Sequence, residues 1–231
     1  MKFAQLAEPS VEKPLIIAAL QDMGNVGNIV IDFINKSKNS TPFRTVESSH
    51  LSYVLDKGGH IEIPKEIWEY RYAKNIIIFG GGYGQPKTDE DLHELCQDVI
   101  GVAKKYSTKF IYTLGGFHTE NIILGEPRTF VTTTSQELSA KLEDMVSLTP
   151  SRSFITGFNG LVLGYAKTGG IHGIGLYGEL NDPAIPQYST AKSVIKTLEK
   201  LTYQSFGDTH ELDVMADNIE KKLKTGWRAD Y

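Results

Sequence analysis

The run from Phe154 to Glu179 constrains the fold more than any other stretch, because it packs two apolar segments and a helix-forming segment into one short span. Phe154-Ile155 reads as a short strand, followed by a turn through Gly157 and Gly160. A compact apolar helix comes next, in which the small residues Gly164 and Ala166 allow close packing. After the Gly169-Gly170 break a second apolar run, Ile171 to Tyr177, ends at Gly178-Glu179. Strand, helix and strand in that order predict a βαβ unit, and such units build parallel sheets covered by helices. Asn159 and Glu179 then follow the strands at their carboxyl ends, where open α/β sheets form their binding crevices.

The rest of the chain repeats this alternation. Pro14 to Leu20 is continuously apolar, as a strand buried on both faces would be. Asp22 to Gly27 turns into a helix carrying Val26, Ile29, Val30, Phe33 and Ile34 on one face. Thr41 to Glu47 reads as a strand, and Asp56-Lys57-Gly58-Gly59 as the turn of a small hairpin between residues 51 and 63. Asn75 to Phe79 is a strand ended by Gly80 to Pro86, and Thr88 caps a helix with Asp89, Glu90 and Asp91 in its first turn. Lys109 to Leu114 is a strand that ends in Gly115-Gly116. Thr134 and Glu137 form a capping box for a helix running to Val146. Pro186 to Leu201 is helical, and a last helix buries Leu212, Met215, Ala216, Ile219 and Leu223. Together these elements predict one α/β domain across residues 1–231, a three-layer α/β/α sandwich with a mainly parallel sheet. The terminal helix and a short tail occupy 204–231.

Composition narrows the chemistry. A net charge of −4 argues against a nucleic-acid partner, which requires a concentrated basic face. The single cysteine, Cys96, excludes an internal disulfide and any cysteine-rich metal site, and points to a reducing compartment. No apolar run approaches the roughly 20 residues of a membrane helix, and the start of the chain lacks a secretory pattern, so a cytoplasmic protein is expected. The six histidines show no ligand spacing, so no metal or cofactor is expected. Gly24-Asn25-Val26-Gly27 lies correctly between strand and helix but lacks the dinucleotide fingerprint. Its amides could still hold an anion at the helix N-terminus. Ser48-Ser49-His50 brings a hydroxyl near an imidazole in sequence only, and Cys96 falls on a buried helical stripe. The candidate ligand positions are Gly24, Asn25, Gly27, Gly115, Gly116, Glu120, Asn159 and Glu179, with no catalytic set among them.

The ordered glycine motifs resemble the proteasome assembly chaperone family, in particular archaeal members related to the second eukaryotic assembly chaperone. The matching features begin with Gly24 to Gly27, Gly82 to Pro86 and Tyr112-Thr113-Leu114-Gly115-Gly116. They continue with Gly157 to Gly164, Leu176 to Glu179, and a helix starting near Tyr188. The resemblance implies a sandwich similar to the nucleoside phosphorylases, assembly as a homo-oligomer, and binding of proteasome α subunits or related cytosolic proteins rather than catalysis. Archaeal relatives dock on proteasome rings through a C-terminal hydrophobic–tyrosine–any tripeptide. This chain ends Ala229-Asp230-Tyr231, with its tyrosine last and Asp230 in the penultimate place. Trp227, Asp230 and Tyr231 are the candidate partner-binding residues.

Two other functions fit the residues. One is a small-molecule binder or enzyme, for a nucleoside or phosphorylated ligand, working at the carboxyl edge of the sheet. The other is an oligomer whose glycine loops serve only subunit packing.

Overall fold

The computed structural model describes residues 1–48, 50, 54–82, 84–149 and 154–224. The strands are β1 Lys2–Gln5, β2 Leu15–Ala18, β3 Thr41–Glu47, β4 Leu55–Asp56, β5 Ile61–Glu62, β6 Ile67–Ala73, β7 Ile76–Gly81, β8 Phe110–His118, β9 Thr129–Thr133, β10 Ser147–Leu148 and β11 His172–Leu180. The helices are α1 Val26–Ser37, α2 Asp89–Lys105, α3 Gln136–Leu142, α4 Gly157–Thr168, α5 Tyr188–Thr202 and α6 His210–Lys224.

One large sheet runs in the order β1-β3-β6-β7-β2-β8-β11-β9-β10. Its centre, β7-β2-β8-β11, is parallel. Antiparallel pairs flank that centre on both sides, β6 on β7 and β9 on β11. The alternation of side chains along each strand divides the core into two layers. Ile17, Ile78, Leu114 and Leu176 pack under α1 and α5, while Ile16, Ile77, Phe79 and Ile111 pack under α2 and α4. Each such side chain taken fully from water contributes about 1.5–3 kcal/mol. The α/β/α arrangement follows directly, because a sheet apolar on both faces needs helices on both.

The local differences from the sequence reading have physical causes. Phe154-Ile155 is not a strand: both residues precede α4 as extended chain, and Phe154 is 99% exposed. Helix α4 instead begins at Gly157, so Gly160 lies inside it rather than in a turn, and Gly164 faces open space. The strand that feeds α4 by crossover and pairs with β11 in parallel is β8, much earlier in the chain. Strand β8 also runs through Gly115-Gly116 to His118, since β11 pairs with it in parallel along that whole length and a strand held so needs no apolar side chain at each position. Ser135, not Thr134, caps α3 by accepting from Leu138 N, and α3 stops at Leu142. The hairpin β4–β5 forms its own two-stranded sheet. Helix α6 buries only Leu212; Met215 and Leu223 remain 43% and 40% exposed.

Candidate functional site

Strand β2 is entirely apolar and ends at Ala18, and the chain leaving it must reverse into α1 within a few residues. Gly24 makes that possible at φ +63°, a left-handed conformation that glycine adopts without penalty. A side chain there would also collide with Gln187. The turn is pinned from outside, because Gly24 N donates to Pro183 O at 2.9 Å and Gln187 N donates to Gly24 O at 2.8 Å.

Asp22 occupies the place where the sequence suggested an anion. Its Oδ1 accepts from Gly27 N at 2.8 Å, in the first turn of α1, and its Oδ2 accepts from Gly116 N in β8. A carboxylate at a helix N-terminus satisfies free amides and suits the helix dipole. The chain therefore supplies its own anion, and Gly27 and Gly116 are both engaged by it. Burial pushes the Asp22 carboxyl up to about 7 even against these amide donors.

Asn159 performs a parallel task from the first turn of α4. Nearly fully buried, it donates through Nδ2 to Leu114 O at 2.8 Å and accepts from Leu20 N at 3.4 Å. One amide thus bridges the ends of β2 and β8. Gln85 steadies the start of the same helix, accepting from Phe158 N at 2.9 Å and donating to Gln21 O at 2.9 Å.

Asp22, Asn159 and Tyr177 converge on Gly115. A Cβ placed there would lie 3.0 Å from Asp22 Oδ2, 3.3 Å from Asn159 Nδ2 and 3.3 Å from a Tyr177 ring carbon. They form the floor of a cavity of about 400 Å³ at the carboxyl ends of β2 and β8, whose walls include Met23, Phe117 and Ile155. Burial pushes the Tyr177 hydroxyl up to about 12. No lysine or arginine lines this cavity among the described residues.

Of the positions expected to form a site, Gly115, Gly116 and Asn159 line this cavity, and Gly24 and Gly27 shape the turn beside it. Asn25 does not join them; it lines a separate groove between α1 and α6, its Oδ1 buried without a partner. Glu120 is exposed in the loop after β8. Glu179 lies on β11 and is taken up by Arg128, whose Nη2 donates to Oε2 at 2.9 Å and whose backbone N donates to Oε1 at 2.8 Å. Burial alone would raise its pKa, but the Arg128 contacts hold the carboxyl below its usual range. Trp227, Asp230 and Tyr231 lie outside the described residues.

Asp22 is the residue that sequence reasoning passed over. An acid directly after an apolar strand and ahead of a glycine turn is a helix-capping signal, and that signal was present. His50 also finds a partner remote in sequence: its Nδ1 lies 2.9 Å from Asp91 Oδ2, while the Ser48 hydroxyl bonds to the His50 backbone. Among the described residues, no group of three or more His, Cys, Asp or Glu side chains is placed to hold a metal ion. No helix among the described residues is long and apolar enough to cross a membrane.

Comparison with solved structures matches this architecture closely. Pyrococcus furiosus PbaB, described as an archaeal proteasome activator, superposes with a TM-score of 0.82 at 26% identity, covering 97% of both chains. Pyrococcus furiosus PbaA, described as an archaeal homolog of proteasome-assembly chaperone, gives 0.80 at 22% identity over 96% of this chain and 90% of that one. In sequence, the uncharacterized protein MJ1210 of Methanocaldococcus jannaschii is 26% identical over 222 residues, 93% of this chain and 80% of the relative. The model of the PAC2 family matches residues 16–225, and the chain belongs to that family.

Proposed function

We propose that this chain is a non-enzymatic, homo-oligomeric scaffold that binds proteasome α subunits during assembly in the cytoplasm. The observation that carries this reading is apolar surface left uncovered at the carboxyl end of the sheet. Phe154 is 99% exposed beside the cavity mouth, and Ile122 and Leu124, in the loop after β8, are 83% and 88% exposed. Large apolar side chains grouped on a surface mark interaction sites, and aromatic anchors carry most interface energy. PbaB is described as an archaeal proteasome activator and PbaA as a homolog of proteasome-assembly chaperone, which supports a proteasome component as the partner.

A second uncovered surface supports self-association. Val214 and Met215 on α6 are exposed beside a groove lined by Ile29, Phe33 and Tyr188. Capture of α subunits from the source organism by the immobilised full chain tests the partner. Phe154→Asp is expected to weaken capture severalfold, and removal of Gly226 to Tyr231 measures the contribution of the tail. Capture no greater than that by an unrelated acidic protein would contradict the reading.

A further inference from the structure

The cavity above Gly115 has properties that a protein-binding scaffold does not require. Its volume of about 400 Å³ falls in the range of small-molecule sites, which run from roughly 300 to 1,000 Å³. Its walls are mainly apolar and partly aromatic, from Met23, Phe117 and Tyr177. The Tyr177 ring packs against Gly175, where a Cβ would come within 2.7 Å of a ring carbon, and a ring carbon lies 3.3 Å from the Cβ position of Gly115 on the cavity floor.

The floor is polar in a specific way. Each oxygen of Asp22 accepts one backbone amide, and a carboxylate oxygen can accept a second donor. Asn159 spends one Nδ2 hydrogen on Leu114 O and retains another. An acceptor and a donor therefore meet around Gly115, 3.0 Å and 3.3 Å from the position its Cβ would take. Such a pair complements a planar edge that carries an N–H beside a carbonyl or ring nitrogen.

The described lining favours an uncharged ligand over an anion. A phosphate here would face the Asp22 carboxylate with no lysine or arginine among the described lining residues. The amides of Gly27 and Gly116 are already held by Asp22.

We infer that this cavity is a binding site for a compact, uncharged planar heterocycle of nucleobase size, seated with its donor–acceptor edge on Asp22 and Asn159 and its faces against Phe117 and Tyr177. Phe154, which carries the scaffold reading, also lines this cavity, but the contacts assigned to Asp22, Asn159, Phe117 and Tyr177 do not depend on that reading.

The test titrates the full chain with guanosine, adenosine and nicotinamide, with guanosine monophosphate as the anionic control, by calorimetry and by ligand-observed NMR. At least one uncharged probe is expected to bind at sub-millimolar concentration, and the monophosphate to bind more weakly than its nucleoside. Phe117→Ala, at a half-exposed position, and Gly115→Ala are each expected to weaken that binding by about tenfold or more. Circular dichroism establishes that each variant is folded, and Phe117→Ala alone decides the outcome if Gly115→Ala is not. Absence of binding by all three uncharged probes at millimolar concentration overturns the inference. So does binding that Phe117→Ala leaves unchanged, or a monophosphate bound more tightly than its nucleoside. If no probe binds while Phe117→Ala abolishes capture of α subunits, the cavity receives a partner's side chain and the small-molecule assignment is wrong.

Discussion

Asp22 accepts the backbone amide of Gly116 from a strand 94 positions further along the chain, while its other oxygen holds Gly27 at 2.8 Å. One carboxylate thereby fixes the start of α1 to the carboxyl end of β8. The cost is burial of an acid, which raises its pKa to about 7 from an ordinary 3.8.

This sets the direction of a pH dependence. Between about pH 4 and pH 7 the folded chain retains a proton on Asp22 that the unfolded chain has lost. Stability contributed by that proton is complete below pH 4 and is lost as pH rises through 7. Denaturant melts should show stability falling across this window, by at most about 1.4 kcal/mol per pH unit from this group. In Asp22→Asn the slope should flatten, whatever the change in absolute stability.

Asn159 bridges two strand ends with one side chain, and Asn159→Ala leaves Leu20 N and Leu114 O without partners. An unpaired buried backbone group costs about 1–3 kcal/mol. The variant should lose about 2–6 kcal/mol in urea melts if both groups stay dry. A loss below half a kilocalorie would mean that water replaces the amide.

Two glycines of equal simplicity should respond in opposite directions. A methyl at Gly27 would lie 2.9 Å from Ala19 Cβ and 3.0 Å from Leu114 O, so Gly27→Ala forces α1 off the sheet. It should cost about 1–3 kcal/mol. Gly164 on α4 faces open space, and Gly164→Ala should stabilise by about 0.5–1 kcal/mol through helix propensity. Thermal melts of the pair distinguish close packing from simple flexibility.

These contrasts show what the amino-acid order makes legible. Thr41–Glu47 emerged with its bounds as expected, although its buried residues Phe43 and Val46 do not alternate, because the register shifts between Pro42 and Arg44. The continuous apolar runs of β2 and β7 identified the buried parallel centre. Strands β1 and β9 were missed, since each is short and takes its identity from partners remote in sequence, whereas β6 was missed although its seven residues bury Trp68 and Tyr70 in alternation and pair with the adjacent β7. Glycine misled in a consistent way. Gly115, Gly116 and Gly178 lie within strands, where they make room for Asp22, Leu180 and Thr190 rather than ending an element. The site itself was half visible. Asn159 and Gly115 stood out as polar and glycine positions after apolar runs, whereas the Asp22 contact to Gly116 joins neighbouring strands 94 positions apart in the chain and leaves no local trace.

Self-association should follow the uncovered face of α6. Met215 and Val214 are exposed where a stripe of this period is normally buried, so light scattering of the full chain should give a multiple of the 25.6 kDa monomer mass. Met215→Asp should shift the distribution toward the monomer. A monomer at micromolar concentration in the unaltered chain would remove self-association from the account.

The most direct measurement is co-sedimentation of the full chain with proteasome α subunits of the source organism, with and without Phe154→Asp. The account predicts a joint species that sediments faster than either component and is depleted in the variant. Separate sedimentation of the two proteins at tens of micromolar, or a complex indifferent to Phe154, would contradict it.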